Sequence, residues 1–151
     1  MVDLIAPYAN QSLHLPREFD GEFSELLVSG KDGSDKPFAR KVDLWWLTIC
    51  IGARLGHHRP ISKDRVHFNT VGQIFGNEPW RVTHMELLAL GREGEDCLQR
   101  PGRVVEIAEE YGMVGISWIT DRLRGANNAA IKLLIELDAL GSGGGNELLA
   151  D

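Results

Sequence analysis

Polar and apolar side chains alternate over residues 11–16, with Ser12 and His14 on one side, Leu13 and Leu15 on the other, and Pro16 closing the run. A period of two predicts one short, half-buried strand. The period then lengthens: Phe19, Phe23, Leu26 and Leu27 recur at helical intervals through residues 17–28, and the breaker run at 30–35 stops them. Residues 37–56 carry the strongest signal. Val42, Trp45, Trp46, Ile49, Cys50 and Ala53 form an apolar stripe too broad for a surface helix, with Pro37 suited to the first turn and Gly56 to the C-terminal stop. This helix is expected at the centre of the core or of a dimer interface, with Val42, Trp45, Trp46 and Ile49 as its contact residues.

Residues 57–77 lose the pattern. Pro60, Gly72 and Gly76 punctuate a connector with one or two turns near 71–75. Helix returns at 79–90 through Trp80, Val82, Met85, Leu87 and Leu88, with Gly91 as its stop and an acidic turn at 93–96. Pro101 opens a long helix to Arg124, whose apolar positions include Val104, Ile107, Ala108, Tyr111, Ile116 and Ile119. Gly112 and Gly115 inside it cost roughly 1 kcal/mol each relative to alanine, which implies a close backbone neighbour or a kink near Met113. Asn127 or Asn128 can cap a last helix built on Ile131, Leu134, Ile135, Leu137 and Leu140. The fold class is therefore mainly α: one compact helical domain over 11–140 with a short N-terminal strand, an arm at 1–10 and a flexible, glycine-rich tail at 141–151.

Length and charge narrow the picture. A chain of 151 residues, 43% hydrophobic, suits one core, since a domain of this size buries roughly 70% of its unfolded surface. A net charge of −6 argues against a surface that coats nucleic acid throughout, yet leaves room for a local basic patch. Cys50 and Cys97 lack CxxC spacing and are expected as buried free thiols. The first ten residues have no basic start followed by an apolar core, and no run approaches the 18 or so apolar residues of a membrane helix, so a cytoplasmic location without membrane contact is expected.

Candidate chemistry is sparse. His14, His57, His58, His67 and His84 show no zinc-ligand spacing, and there is no phosphate-cradling glycine loop between a strand and a helix. Cys50 reads as core filler, Ser117 lacks a nucleophile-elbow context, and Glu106, Glu109 and Glu110 read as a solvated helix face. No catalytic residue, metal ligand or cofactor is assigned. A small metal-dependent nuclease or hydrolase is the third reading, and it requires carboxylates and histidines to converge in space.

Two features carry more. Arg54, His57, His58, Arg59, Lys63 and Arg65, followed by His67, form a basic stretch interrupted only by Asp64, in a chain otherwise acidic. Such segregation suits contact with a nucleic-acid backbone without reading its sequence. His57 and His58 also sit where a helix C-terminus favours a cap. The order strand, helix, turn, helix over 12–56 is similar to the ribbon-helix-helix arrangement, in which two copies pair their strands into a DNA-reading ribbon. A ribbon-helix-helix-like transcriptional regulator is therefore the second reading. The long connector between the helices departs from that fold, and Asp32 and Asp35 would repel phosphate.

Pro37-Phe38, Asp43, the Gly52 and Gly56 pair ending an apolar helix, the basic linker after it, and Ile107-Ala108-Glu109-Glu110-Tyr111 together resemble a small-protein family associated with bacterial dnd gene clusters. Those systems place phosphorothioate sulfur in DNA and use it against phage. The likeness spans residues 23–123, with the Trp45-Trp46 pair and the tail as departures. It implies a non-catalytic accessory subunit of an anti-phage or DNA-modification system that oligomerises, docks on larger defence proteins and contacts DNA; it transfers no catalytic residue.

Overall fold

The computed structural model of the chain describes residues 3–28 and 35–142. The expected tail from 143 onward and most of the breaker run at 30–35 lie outside the described residues. Among the described residues the order is β1 (Ser12–Pro16), α1 (Arg17–Glu25), α2 (Lys41–Leu55), β2 (Arg65–Thr70), α3 (Val71–Phe75), α4 (Trp80–Glu93), α5 (Pro101–Leu123) and α6 (Ala129–Gly141). The fold is mainly α, and none of its helices is long and apolar enough to cross a membrane.

The core is α2 laid against α5. A Cβ on Gly115 would fall far inside contact distance of the Thr48 carbonyl, and one on Gly52 would overlap the Tyr111 carbonyl. At Gly112 the nearest atoms are side-chain atoms, Thr48 Oγ1 at 3.2 Å and Ile49 Cγ1 at 3.5 Å. The glycines let two backbones touch, so of the two alternatives the close backbone neighbour is the one present, and α5 runs as one helix through Met113. Gly56 acts differently. At φ 69° it ends α2, its N–H donating to Ala53 O and that of His57 to Gly52 O. The cap at this end is thus made by backbone, not by the histidine rings.

Several boundaries move for local reasons. α2 begins at Lys41, because Phe38 is held in a parallel bridge with Leu27 and Pro37 precedes the helix instead of opening it. α4 continues through Gly91 and stops at Gly94, which has φ 82°. Asn128 caps α6, its side chain accepting from the Ile131 N–H at 3.1 Å. The described part of the arm, 3–10, is anchored at Tyr8, which is buried and donates its hydroxyl hydrogen to Glu86 Oε1 at 2.8 Å.

The connector holds an element the pattern did not predict. β2 pairs antiparallel with β1, His14 opposite His67 and Pro16 opposite Arg65, with an irregularity between Leu13 and His14. Leu13 and Leu15 point into the core as expected, and half-buried Phe68 meets the Trp45 ring edge-on, the centroids 6.1 Å apart. The strand-helix-helix order is present, but β1 finds its ladder partner within the same chain, whereas the ribbon-helix-helix arrangement takes that partner from a second copy.

Candidate nucleic-acid and partner interfaces

Residues 54–67 leave the end of α2, cross the surface beside α5 and enter β2. Arg54, His57, His58, Arg59, Lys63, Arg65 and His67 are all exposed. The segment is held at several points: the Arg59 N–H donates to Glu110 O at 3.0 Å, Arg59 NH1 to Ser117 Oγ at 3.3 Å, and the His58 ring meets Tyr111 edge-on at 5.5 Å. The Arg17 N–H donates to Asp64 O, and the Ser62 hydroxyl to the same oxygen. Among the described residues Arg54, Arg59 and Lys63 enter no ion pair. The lone acid of the stretch, Asp64, is taken up by Arg17 at 2.8 Å, so it does not neutralise its neighbours. The result is a fixed cationic edge with free charge.

Arg65 is tied inward. Its guanidinium lies 3.7 Å from Glu109, which is buried at 7% exposure and accepts the His14 backbone N–H at 2.7 Å. His14 Nδ1 is 3.5 Å from the same carboxylate and makes no hydrogen bond, and the His14 and His67 rings meet edge-on at 5.9 Å. Glu110, equally buried, receives Arg92 on one oxygen and Arg103 on the other, the latter at 3.0 Å. Arg103 also bonds Glu93 and Glu106, and its hydrogen bond holds the Glu93 carboxyl below the usual range despite partial desolvation. The expectation of a solvated carboxylate face is therefore corrected for Glu109 and Glu110. Glu109 and Glu110 lie where α5 is packed against by β1, β2 and α4, and arginines and a strand N–H serve them in place of water, while Glu106 on the same helix stays half-exposed. Glu109→Ala is expected to cost about 2 kcal/mol in urea unfolding, since the His14 N–H then loses its buried acceptor; a change under about 0.5 kcal/mol would show that water replaces the carboxylate.

The expected contact residues divide. Val42, Trp45 and Ile49 are 0, 2 and 1% exposed and are consumed by the chain's own core, with the Trp45 indole N–H donating to His14 O at 3.1 Å. Only Trp46 reaches outward, against Trp80 and His84 with centroids 5.7 and 6.2 Å away. The expectation for the cysteines is corrected in one case: Cys97 is buried, while Cys50 is exposed on the same side of α2 as Trp46. Its sulfur nevertheless sits among apolar atoms, whose burial pushes the thiol pKa up.

Beside Glu109 lies a polar cleft of about 220 Å³ lined by Gln11, Ser12, His14, Arg65 and Glu106. Both Glu109 oxygens already face partners, the His14 N–H and Arg65. Among the described residues no three His, Cys, Asp or Glu side chains are arranged to hold a metal ion. Comparison with known proteins gives no match to any protein-family model, curated protein or solved structure.

Proposed function

We propose that this protein is a non-catalytic accessory subunit of a bacterial anti-phage or DNA-modification system that lies against the nucleic-acid backbone through residues 54–67. The observation that carries the reading is the anchored edge on which Arg54, Arg59 and Lys63 enter no ion pair among the described residues while Asp64 is occupied by Arg17. The backbone that carries the cations is anchored, so little main-chain freedom is lost when they meet phosphates, and release of the counterions supplies the affinity. Arg54 stands on the last turn of α2, Arg59 and Lys63 on the loop after it, and Arg65 and His67 on β2, a mixed edge that suits backbone contact more than base reading. The dnd-cluster resemblance supplies the cellular setting, in which a larger partner performs the chemistry.

The test is fluorescence anisotropy with labelled duplex and single-stranded DNA. The variant Arg54→Ala/Arg59→Ala/Lys63→Ala is expected to bind about 10- to 100-fold more weakly at low salt, uniformly across sequences. Equal affinity for wild type and variant would remove the basic edge from the reading. Strong preference for one palindromic duplex would instead favour a ribbon-helix-helix-like regulator.

A further inference from the structure

We propose that the segment following α6 turns back and seats Leu148 and Leu149 in the apolar depression over α2, so that the chain covers its own exposed face. The seat does not depend on the nucleic-acid reading.

Two clefts open along α2. One, of about 530 Å³ toward α6, is lined by Phe38, Trp46, Leu47, Leu133, Leu134 and Leu137. The other, of about 320 Å³ toward α4, is lined by Ile49, Ala53, His84, Leu87 and Leu88. Trp46 and Cys50 belong to both, so the clefts form one depression with Cys50 at the junction. Among the described residues its rim is uncovered: Leu87 on α4 is 58% exposed and Leu134 on α6 is 68% exposed. A helix that carries apolar residues beyond its core-facing stripe is ordinarily covered there as well.

The chain after Ser142, outside the described residues, reads Gly-Gly-Gly-Asn-Glu-Leu-Leu-Ala-Asp. Leu137 and Leu134 lie five and eight residues before Ser142, about 7.5 and 12 Å back along the helix at a rise of 1.5 Å per residue. The six Cα steps from Ser142 to Leu148 span up to about 20 Å, enough to turn and reach both. The reversal falls on Gly143–Gly145, where the missing Cβ opens positive φ at no steric cost.

Charge and proximity select this occupant. Leu148, Leu149 and Ala150 are flanked by Glu147 and Asp151, so the apolar cluster carries an acid on either side. At one end of the depression Arg40 and Arg81 are balanced by Asp43 and Glu78. At the other, Arg54 stands one turn beyond Cys50 on the same side of α2, exposed and entering no ion pair among the described residues. It draws carboxylates that come within a Debye length of about 8 Å, without a direct ion pair. An acidic, leucine-bearing segment therefore suits the depression. A linker of five residues, 143–147, also holds the leucines at an effective concentration of about millimolar, above that of a second copy at micromolar protein.

The test is the rate of maleimide labelling of Cys50 in the full chain, wild type against Leu148→Ser/Leu149→Ser, a change that leaves the net charge and every described residue as they are. Cys97 is buried and does not compete for the reagent. A seat occupied most of the time slows labelling of the wild type at least about 5-fold relative to the variant. Because the cover is intramolecular, the wild-type rate should be the same from about 1 to about 100 μM protein. Equal labelling of wild type and variant would overturn the proposal. So would a wild-type rate that falls as concentration rises, which would assign the cover to a second copy.

Discussion

Gly115→Ala is expected to destabilise the protein by about 4 kcal/mol or to prevent its folding, measured by urea denaturation followed by circular dichroism. The added methyl has nowhere to go, because what it meets is the Thr48 backbone carbonyl and not the end of a movable side chain. To restore contact distances the two helix axes must part by about 1.5 Å, which loosens the packing of Val42, Trp45 and Ile49 along the whole length of α2. Gly52→Ala should behave alike, since it meets the Tyr111 carbonyl. Two controls separate this from a generic helix effect. Gly112→Ala meets only side-chain atoms and should stay within about 1 kcal/mol of wild type, and Gly21→Ala, with open space around it in α1, should gain about 0.5–1 kcal/mol. A Gly115→Ala variant as stable as wild type would mean that α2 and α5 do not touch through their backbones.

Arg81→Ala is expected to cost about 3 kcal/mol at pH 7. Arg81 is 5% exposed; it donates to Asp43 Oδ1 at 2.8 Å and to Glu78 Oε1 at 3.1 Å, while its guanidinium lies 5.0, 5.3 and 5.5 Å from the rings of Trp80, Trp46 and Phe75. Its Nε and NH1 have no hydrogen-bond acceptor, so the aromatic faces are what receive that side of the cation. The loss removes both the packing and one of the two cations on Asp43 and Glu78, Arg40 being the other. Partial burial pushes the Asp43 carboxyl up, but hydrogen bonds from Arg40 and Arg81 outweigh it and hold the group below the usual range. A depressed folded value contributes stability that is present above the unfolded carboxyl pKa of about 3.9 and is lost as pH falls through the folded one. The electrostatic part of the deficit should therefore be full at pH 7 and shrink below pH 4. A deficit of the same size at pH 3 would assign the whole effect to packing.

The legible parts of this fold are those where one periodicity runs uninterrupted. Leu13 and Leu15 against Ser12 and His14 mark β1, and the apolar positions of α5 carry it from Pro101 to Leu123. β2 is readable in principle, since Val66 and Phe68 alternate with Arg65 and His67, but the basic character of the segment and the breakers around it hide six alternating residues. Exposure of the cationic stretch follows from its charge; that Arg65 turns to Glu109 does not, because the carboxylate is separated from it by more than forty residues and only the α2–α5 contact brings β2 beside α5. The wide stripe on α2 marks a central helix, but a stripe cannot say which of its residues the chain covers itself. Trp45 and Trp46 are neighbours in sequence and point to different sides, one into the core and one outward against Trp80 and His84. Burial of Glu109 and Glu110 is not readable from α5 alone, since Glu106 and Asp121 on the same helix reach solvent; it follows from which elements pack over that part of the helix.

The most direct test of the accessory-subunit reading is the salt dependence of DNA binding by the wild-type chain. Three cations that enter no ion pair among the described residues, Arg54, Arg59 and Lys63, stand on the edge, Arg65 being held by Glu109. With a slope of about −0.9 per phosphate neutralised, log K should fall against log salt with a slope of about −2 to −3, and the triple alanine variant should lose most of that slope. That result would place the phosphate backbone on residues 54–67. Absence of binding at low salt, or a slope that the triple variant leaves unchanged, would contradict the account.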